Sequence, residues 1–253
     1  MKIALIPSNQ HLNKYANLSG VTEEIWAVNT TSYVGRNLIS LVPNIEVQTF
    51  HIPGKGTSSI DELNMMLKQA LAWKPDYVLS IHSDAVGDKK VTGVLALNPW
   101  ESSRTDGAVL ANLVADNIGL PYRGSWVWGV EARKINFLTA LRNAQIPGCL
   151  LEIGEHATAA EAAWNWEHYQ EIGLGIARAL IEHLHLAPMD IQTEIAIRDR
   201  VAMVGIVHNL DIILARLDNA TPEQIEKMEV KREADIVSWK VRLDPYGKIW
   251  SNA

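Results

Sequence analysis

A single cysteine, Cys149, is all the thiol this chain carries. That excludes a disulfide framework and any site built from clustered cysteines, so stability has to come from a core. Cys149 sits in an apolar run, where a free thiol behaves as a small inert hydrophobe. No apolar run is long enough to span a bilayer, and Met1-Lys2 leads straight into a strand-like run rather than a leader segment. Membrane insertion and an amino-terminal signal peptide are therefore not expected. The 23 basic residues against 29 acidic ones leave a net charge of −6 and form no basic stripe, which argues against nucleic acid as a partner. Internal repeats and low-complexity tracts are also missing. What the chain does have is 253 residues with 47% hydrophobic content, enough for one sizeable α/β domain or one domain with a small appendage.

Apolar, β-branched runs predict strands over Lys2–Ile6, Glu46–Phe50, Tyr77–Ile81, Gly93–Leu97, Ser125–Trp128 and Cys149–Ile153. Helices fit between them. Ser59-Ile60-Asp61-Glu62 is a capping-box pattern opening a helix to about Trp73, with Pro75 beyond its end. Ser103–Asp106 opens another. Thr158-Ala159-Ala160-Glu161 opens a long one with Tyr169, Ile172, Ile176, Ala179 and Leu180 on one face. The expected fold is α/β: a mostly parallel, twisted sheet of about six strands with helices on both faces. This unit should close near Leu186, giving a domain over residues 1–187 and a small, mainly helical module over 188–253. In the module, Met203, Val207, Leu210, Leu214 and Leu217 recur at coiled-coil spacing. Thr221-Pro222-Glu223-Gln224 is a strong helix start, and Asp244-Pro245-Tyr246-Gly247 reads as a turn.

Ligands of open α/β sheets bind beyond the carboxyl ends of the strands, and three expected strands end on chemistry. Tyr77–Ile81 runs into His82, Cys149–Leu151 into Glu152, and Ile3–Ile6 into Pro7-Ser8-Asn9-Gln10-His11. Thr22-Glu23-Glu24-Ile25 opens a helix directly after that loop. A hydrolytic zinc site uses three protein ligands and keeps one position for water, which the metal acidifies; a separate carboxylate shuttles protons. His11, His82 and a glutamate of the pair are candidate ligands, and Glu152 is the candidate shuttle. Each has a plainer reading when taken singly. A histidine ending a strand is usually a hydrogen-bonded loop residue, and acidic residues in a first helical turn usually answer the helix dipole. His51 is a lesser candidate for the cleft. His168, His183 and His185 are expected to face solvent, His208 to pack in the module, and Trp126-Val127-Trp128 to lie in the core.

Taken together, these motifs resemble the zinc-dependent N-acetylmuramoyl-L-alanine amidases of the third amidase type, found in autolysins and phage endolysins. Three stretches carry the resemblance. Leu79-Ser80-Ile81-His82-Ser83-Asp84-Ala85 is similar to the family's Ser-Ile-His-x-Asn-Ala. Arg133-Lys134-Ile135-Asn136-Phe137 through Ile146-Pro147-Gly148-Cys149-Leu150-Leu151-Glu152-Ile153-Gly154 looks like the family's Arg-containing loop, helix and closing Glu-x-Gly. Gly20-Val21-Thr22-Glu23-Glu24 is similar to its Gly-x-x-x-Glu. The resemblance covers about residues 1–186. It implies one Zn2+ on His11, Glu24 and His82, a catalytic Glu152, and Arg133 and Asn136 as substrate-binding residues.

Two departures stand out. Where the family carries Asp-Pro-Gly-His-Gly-Gly, this chain has Ile6-Pro7-Ser8-Asn9-Gln10-His11, so that His11, Gln10, Asn9 or a water fills the first ligand place. Glu155-His156 stands where the family has Phe and Asn. The implied function is hydrolysis of the amide between N-acetylmuramic acid and L-alanine in bacterial peptidoglycan, as a phage endolysin made in the cytoplasm and acting on the wall after release. The rival is a catalytically degenerate amidase scaffold serving as a wall-binding or regulatory protein. The module at 188–253 is expected to bind the wall, through aromatics such as Trp239, Tyr246 and Trp250, with a homodimer through its seam as the alternative.

Overall fold

The computed structural model describes residues 1–53, 59–85, 92–130 and 135–188. Arg133 and the helices, seam and turn expected beyond residue 188 lie outside the described residues. By its internal contacts the chain divides into two compact units, residues 1–38 with 44–186, and residues 39–43 with 187–253.

Six strands form one sheet: β1 (Lys2–Pro7), β2 (Glu46–Thr49), β3 (Tyr77–Asp84), β4 (Val94–Asn98), β5 (Tyr122–Val127) and β6 (Gly148–Glu155). Their order is β2-β1-β3-β6-β4-β5. Four of the five pairings are parallel, and β4 runs antiparallel to β6. Ile3, Ala4, Leu5 and Ile6 of β1 are all fully buried, as expected of a strand covered on both faces. Alternate residues feed two cores. Leu5, Leu79 and Leu151 pack with Trp26, Val114, Ile176 and Leu180. Ala4, Ile6, Val78 and Leu150 pack with Met66, Phe137, Leu138 and Leu141. The first layer comes from α1 (Glu23–Leu41), α3 (Arg104–Ile118) and α6 (Tyr169–His183); the second comes from α2 (Ser59–Ala72) and α4 (Asn136–Ala144).

Three expectations are revised. The long helix from Thr158 is two helices, α5 (Ala159–Glu167) and α6, broken at His168. There the imidazole Nδ1 and the backbone N–H of His168 both bond the carbonyl of Trp164, so the chain turns before it resumes. His183 is not solvent-facing: its side chain is 5% exposed and lies 3.3 Å from Asp106. Trp126, in contrast, is exposed rather than core.

The reversal of β4 and β5 shapes the functional edge. Because they run against the other four, their amino ends lie where β1, β3 and β6 end. Val94 pairs with Ile153, and Gly154 donates to the carbonyl of Gly93 at 2.9 Å. β6 also carries one extra residue here, since His82 pairs with Glu152 but Asp84 with Glu155. Such bulges re-aim side chains. Gly154 absorbs it with φ +65°, and a Cβ there would collide with the Asn165 amide, so only glycine fits.

Candidate active site

Beyond Pro7 the chain stays attached to β3 for one more step, with Ser8 N–H donating to the carbonyl of Ile81 at 2.9 Å. It then folds into a tight loop. Asn13 N–H bonds the carbonyl of Gln10, and Glu23 N–H bonds the carbonyl of Asn13 at 2.8 Å. An antiparallel bridge between Lys14 and Thr22 closes the loop, and the Thr22 hydroxyl accepts from Ile25 N–H at the start of α1. The first residue of α1 is thereby delivered to the end of β3.

Three side chains meet there. Glu23 Oε1 lies 2.9 Å from His82 Nδ1. The Gln10 amide nitrogen lies 3.5 Å from the same Nδ1. Asn13 Nδ2 donates to Glu23 Oε2 at 2.9 Å and also to Gln10 Oε1. Burial on its own would raise the Glu23 carboxyl and lower the His82 imidazole, but their mutual bond and charge win on both sides. Glu23 ends below the usual carboxylate range, assisted by Asn13 and Ser8, and His82 ends above the usual imidazole value. The pair is ionic.

Glu152 is the cross-strand neighbour of His82. Desolvation at this partly buried position pushes its carboxyl up to about 8; the charge of His82 lowers it, while Glu23 and Asp84 raise it further. Arg123, brought in by the reversed β5, bonds Asp84 through Nη1 at 2.7 Å, and its charge is the smallest of these influences on Glu152, drawing the carboxyl down. Beneath the floor, the Tyr15 hydroxyl donates to Ser83 Oγ at 2.9 Å, and Ser83 Oγ bonds His156 Nδ1 at 2.9 Å. The Tyr15 and His156 rings stack at 5.0 Å. Burial raises the Tyr15 phenol well above its ordinary value, so the phenol keeps its proton, and its bond to Ser83 braces the residue after His82. The Glu155-His156 departure thus lies inside the fold: both residues are buried.

The expected residues are not all brought together. His82 and Glu152 adjoin. Glu24 pairs with His51, Oε1 to Nε2, at 2.9 Å, and the carboxylate on His82 is that of Glu23. The His11 ring faces the carbonyl of Asn9 in its own loop at 3.4 Å, and its Nε2 is buried with no hydrogen-bond partner among the described residues. Asn136 is exposed in the first turn of α4. Asn13, Asp84 and Arg123 did not stand out in the sequence. Glu23 had a signal: with Trp26, Ala27, Thr30 and Val34 it forms the buried stripe of α1.

A hydrolytic zinc centre needs three side chains of imidazole, carboxylate or thiolate type. Among the described residues no three His, Cys, Asp or Glu side chains form a group able to hold a metal. Around His82 the third member is Gln10, whose amide oxygen already accepts from Asn13. The residues present do not fit the three-ligand zinc centre that the resemblance implies.

Comparison with known proteins agrees with this architecture. The N-acetylmuramoyl-L-alanine amidase family model (Amidase_3) matches residues 16–182. No curated protein sequence matches the chain. Among solved structures, the catalytic domain of the amidase CwlV from Paenibacillus polymyxa superposes with a TM-score of 0.57 at 21% identity, covering 74% of this chain and 100% of that one. The amidase AmiC2 of Nostoc punctiforme gives 0.58 at 17% identity, over 73% and 97%. The catalytic domain of the CD27L endolysin targeting Clostridioides difficile gives 0.55 at 14% identity, over 72% and 97%. These likenesses speak for the fold, and the family match spans about two thirds of the chain. It belongs to the N-acetylmuramoyl-L-alanine amidase family whose substrate is peptidoglycan.

Proposed function

We propose that the chain hydrolyses the amide between the lactyl group of N-acetylmuramic acid and L-alanine, with Glu152 as proton shuttle. The observation that carries the reading is Glu152 itself: a carboxyl at the carboxyl end of β6, beside His82, raised to about 8. A group with that pKa exchanges protons near neutrality, where general acid–base catalysis is most effective. As carboxylate it takes a proton from the attacking water. As acid it returns one to the alanine nitrogen as the carbon–nitrogen bond breaks. The ionic Glu23–His82 pair fixes the imidazole against it, and Asp84 restrains Arg123 at the rim.

The test is a purified muropeptide of defined structure. Products together gaining one water, with a new alanine amino terminus and a newly freed lactyl carboxylate, support the reading. Cleavage between sugars or inside the stem peptide overturns it. Lysis of a host wall at phage release is the setting we infer, supported by the motif resemblance, and residues 188–253 are its wall-targeting element in this reading. Deleting them should weaken sedimentation with intact walls while sparing soluble muropeptide hydrolysis.

One observation favours a second reading. Gln10 at the His82 cluster suits a scaffold that binds walls without cutting them. Stable retention on walls with no released product, unchanged in Glu152→Gln, would select it.

A further inference from the structure

We propose that Gln10 occupies the third ligand place beside Glu23 and His82, so that this chain takes zinc weakly, and that one histidine at position 10 would complete a tight site. Three elements converge here. Gln10 comes from the loop after β1, Glu23 from the first turn of α1 and His82 from β3, and all three reach one point around His82 Nδ1. Asn13 sets their orientation, its amide nitrogen holding Gln10 Oε1 and Glu23 Oε2 together. That leaves Glu23 Oε1 and His82 Nδ1 in direct contact at 2.9 Å, a carboxylate and an imidazole that a cation would have to part by taking the place of the proton between them.

The chemistry of the third donor decides the affinity. Zinc favours imidazole, thiolate and carboxylate; a carbonyl-type oxygen suits harder ions. The Gln10 oxygen is neutral, and a metal would have to displace the Asn13 bond to reach it. His11, the neighbouring imidazole, is the rival for that place: its Nδ1 faces the Asn9 carbonyl and its Nε2 is buried without a partner among the described residues, but the side chain in contact with His82 is that of Gln10. A histidine at 10 would instead start from the backbone position whose side chain already reaches His82. The inference shares the site of the amidase reading, but it is tested by metal alone, so either can fail without the other.

The experiment uses the full chain and zinc ions, with affinity read by competition against a chromophoric chelator and stoichiometry measured after dialysis. Wild type, Gln10→His, Gln10→Glu, His82→Ala and His11→Ala are compared, each first checked for its fold by circular dichroism. The expected result is one zinc per chain in Gln10→His, bound about 10- to 100-fold more tightly than in wild type, the scale on which a coordination shell tunes affinity. Adding His82→Ala should abolish the gain, and His11→Ala should change nothing. Should Gln10→His fail to fold, Gln10→Glu, nearly isosteric and anionic, carries the same expectation. Wild type holding one zinc as tightly as a folded position-10 variant overturns the proposal. So does a loss in His11→Ala as large as in His82→Ala, which would make His11 the ligand.

Discussion

At the carboxyl ends of β3 and β6, His82 meets Glu23 at 2.9 Å; near their amino ends, His183 meets Asp106 at 3.3 Å beside Tyr77 and Cys149. Both ends hold a histidine–carboxylate pair and a desolvated acid on β6, and the same physics leaves one reactive and the other inert. Burial lifts Glu152 from an ordinary 4.5 to about 8, and Cys149 from 9 to about 12. The carboxyl is carried into the range where water chemistry is done and the thiol out of it. Desolvation alone makes neither group catalytic; the starting pKa decides where the shift ends. The pairs differ likewise. Glu23 is 1% exposed and Asp106 is 54% exposed, so one ion pair is shielded from water and the other is screened by it.

The largest effect should come from the reactive end. Glu152→Gln keeps the shape and removes the titrating proton, and it should cut muropeptide hydrolysis by roughly 10²–10⁴-fold with the fold intact. Activity within a few-fold of wild type would remove Glu152 from the chemistry. The same variant has a thermodynamic signature. The folded chain holds the Glu152 proton to about pH 8, the unfolded chain only to about 4.5. Between those values the folded state binds more protons, so stability falls as pH rises, by at most about 1.4 kcal/mol per unit. His82, raised above its usual value, acts in the same direction: its contribution is complete below its unfolded pKa and is lost as pH climbs through the folded one. Glu23 acts oppositely at acid pH, where protonation removes what its lowered pKa contributes. Urea midpoints measured between pH 5 and 8 should slope downward in wild type and less steeply in Glu152→Gln, where the slope that remains belongs to His82.

Next in size is the contrast between two adjacent glutamates. Glu23→Ala leaves a desolvated His82 without its partner and should destabilise by roughly 3 kcal/mol, the cost of breaking a buried pair. Glu24→Ala breaks the more open bond to His51, with side chains 11% and 21% exposed, and should cost about 1 kcal/mol. Equal losses in thermal or urea denaturation would erase the distinction.

That contrast also marks how far the sequence could be read. All six strands and the two-faced α/β plan were visible as apolar runs between amphipathic helices, and His82 and Glu152 were visible because they end such runs. The direction of β4 was not, since a run of buried residues reads the same both ways, and with it went Arg123, which reaches the edge only because β5 is reversed. Counting from Gly20 pointed to Glu24, yet the helical stripe through Trp26 and Thr30 aims Glu23 inward. The loop between β1 and α1 has no periodicity, so the contact of Gln10 with His82 at 3.5 Å and the turn of His11 Nδ1 to the Asn9 carbonyl could not be read from it. The break at His168 comes from a side chain bonding its own helix, a local competition that the apolar pattern of α6 conceals.

The inert end should respond far less. Cys149 is buried, with a thiol pKa of about 12, and reactivity requires the thiolate. Iodoacetamide at pH 8 should leave the native chain unlabelled and label one site once it is unfolded. Labelling at equal rates in both states would mean that this end opens as readily as it unfolds.

The smallest effect should be at Asp106. Its carboxylate is half in water, so the 3.3 Å approach to His183 is screened, and exposed pairs contribute between nothing and about 1 kcal/mol. The His183 ring keeps its place by other means: it packs edge-on against Tyr77 with centroids 6.0 Å apart. Asp106→Asn preserves the side-chain volume and a hydrogen-bonding oxygen while deleting the charge. The melting temperature should therefore move by no more than a degree or two, with muropeptide hydrolysis unchanged because the cluster lies near the opposite ends of β3 and β6. A loss approaching that of Glu23→Ala would show that exposure does not separate the two pairs, and that the amino-end pair belongs to the same electrostatic system as the site.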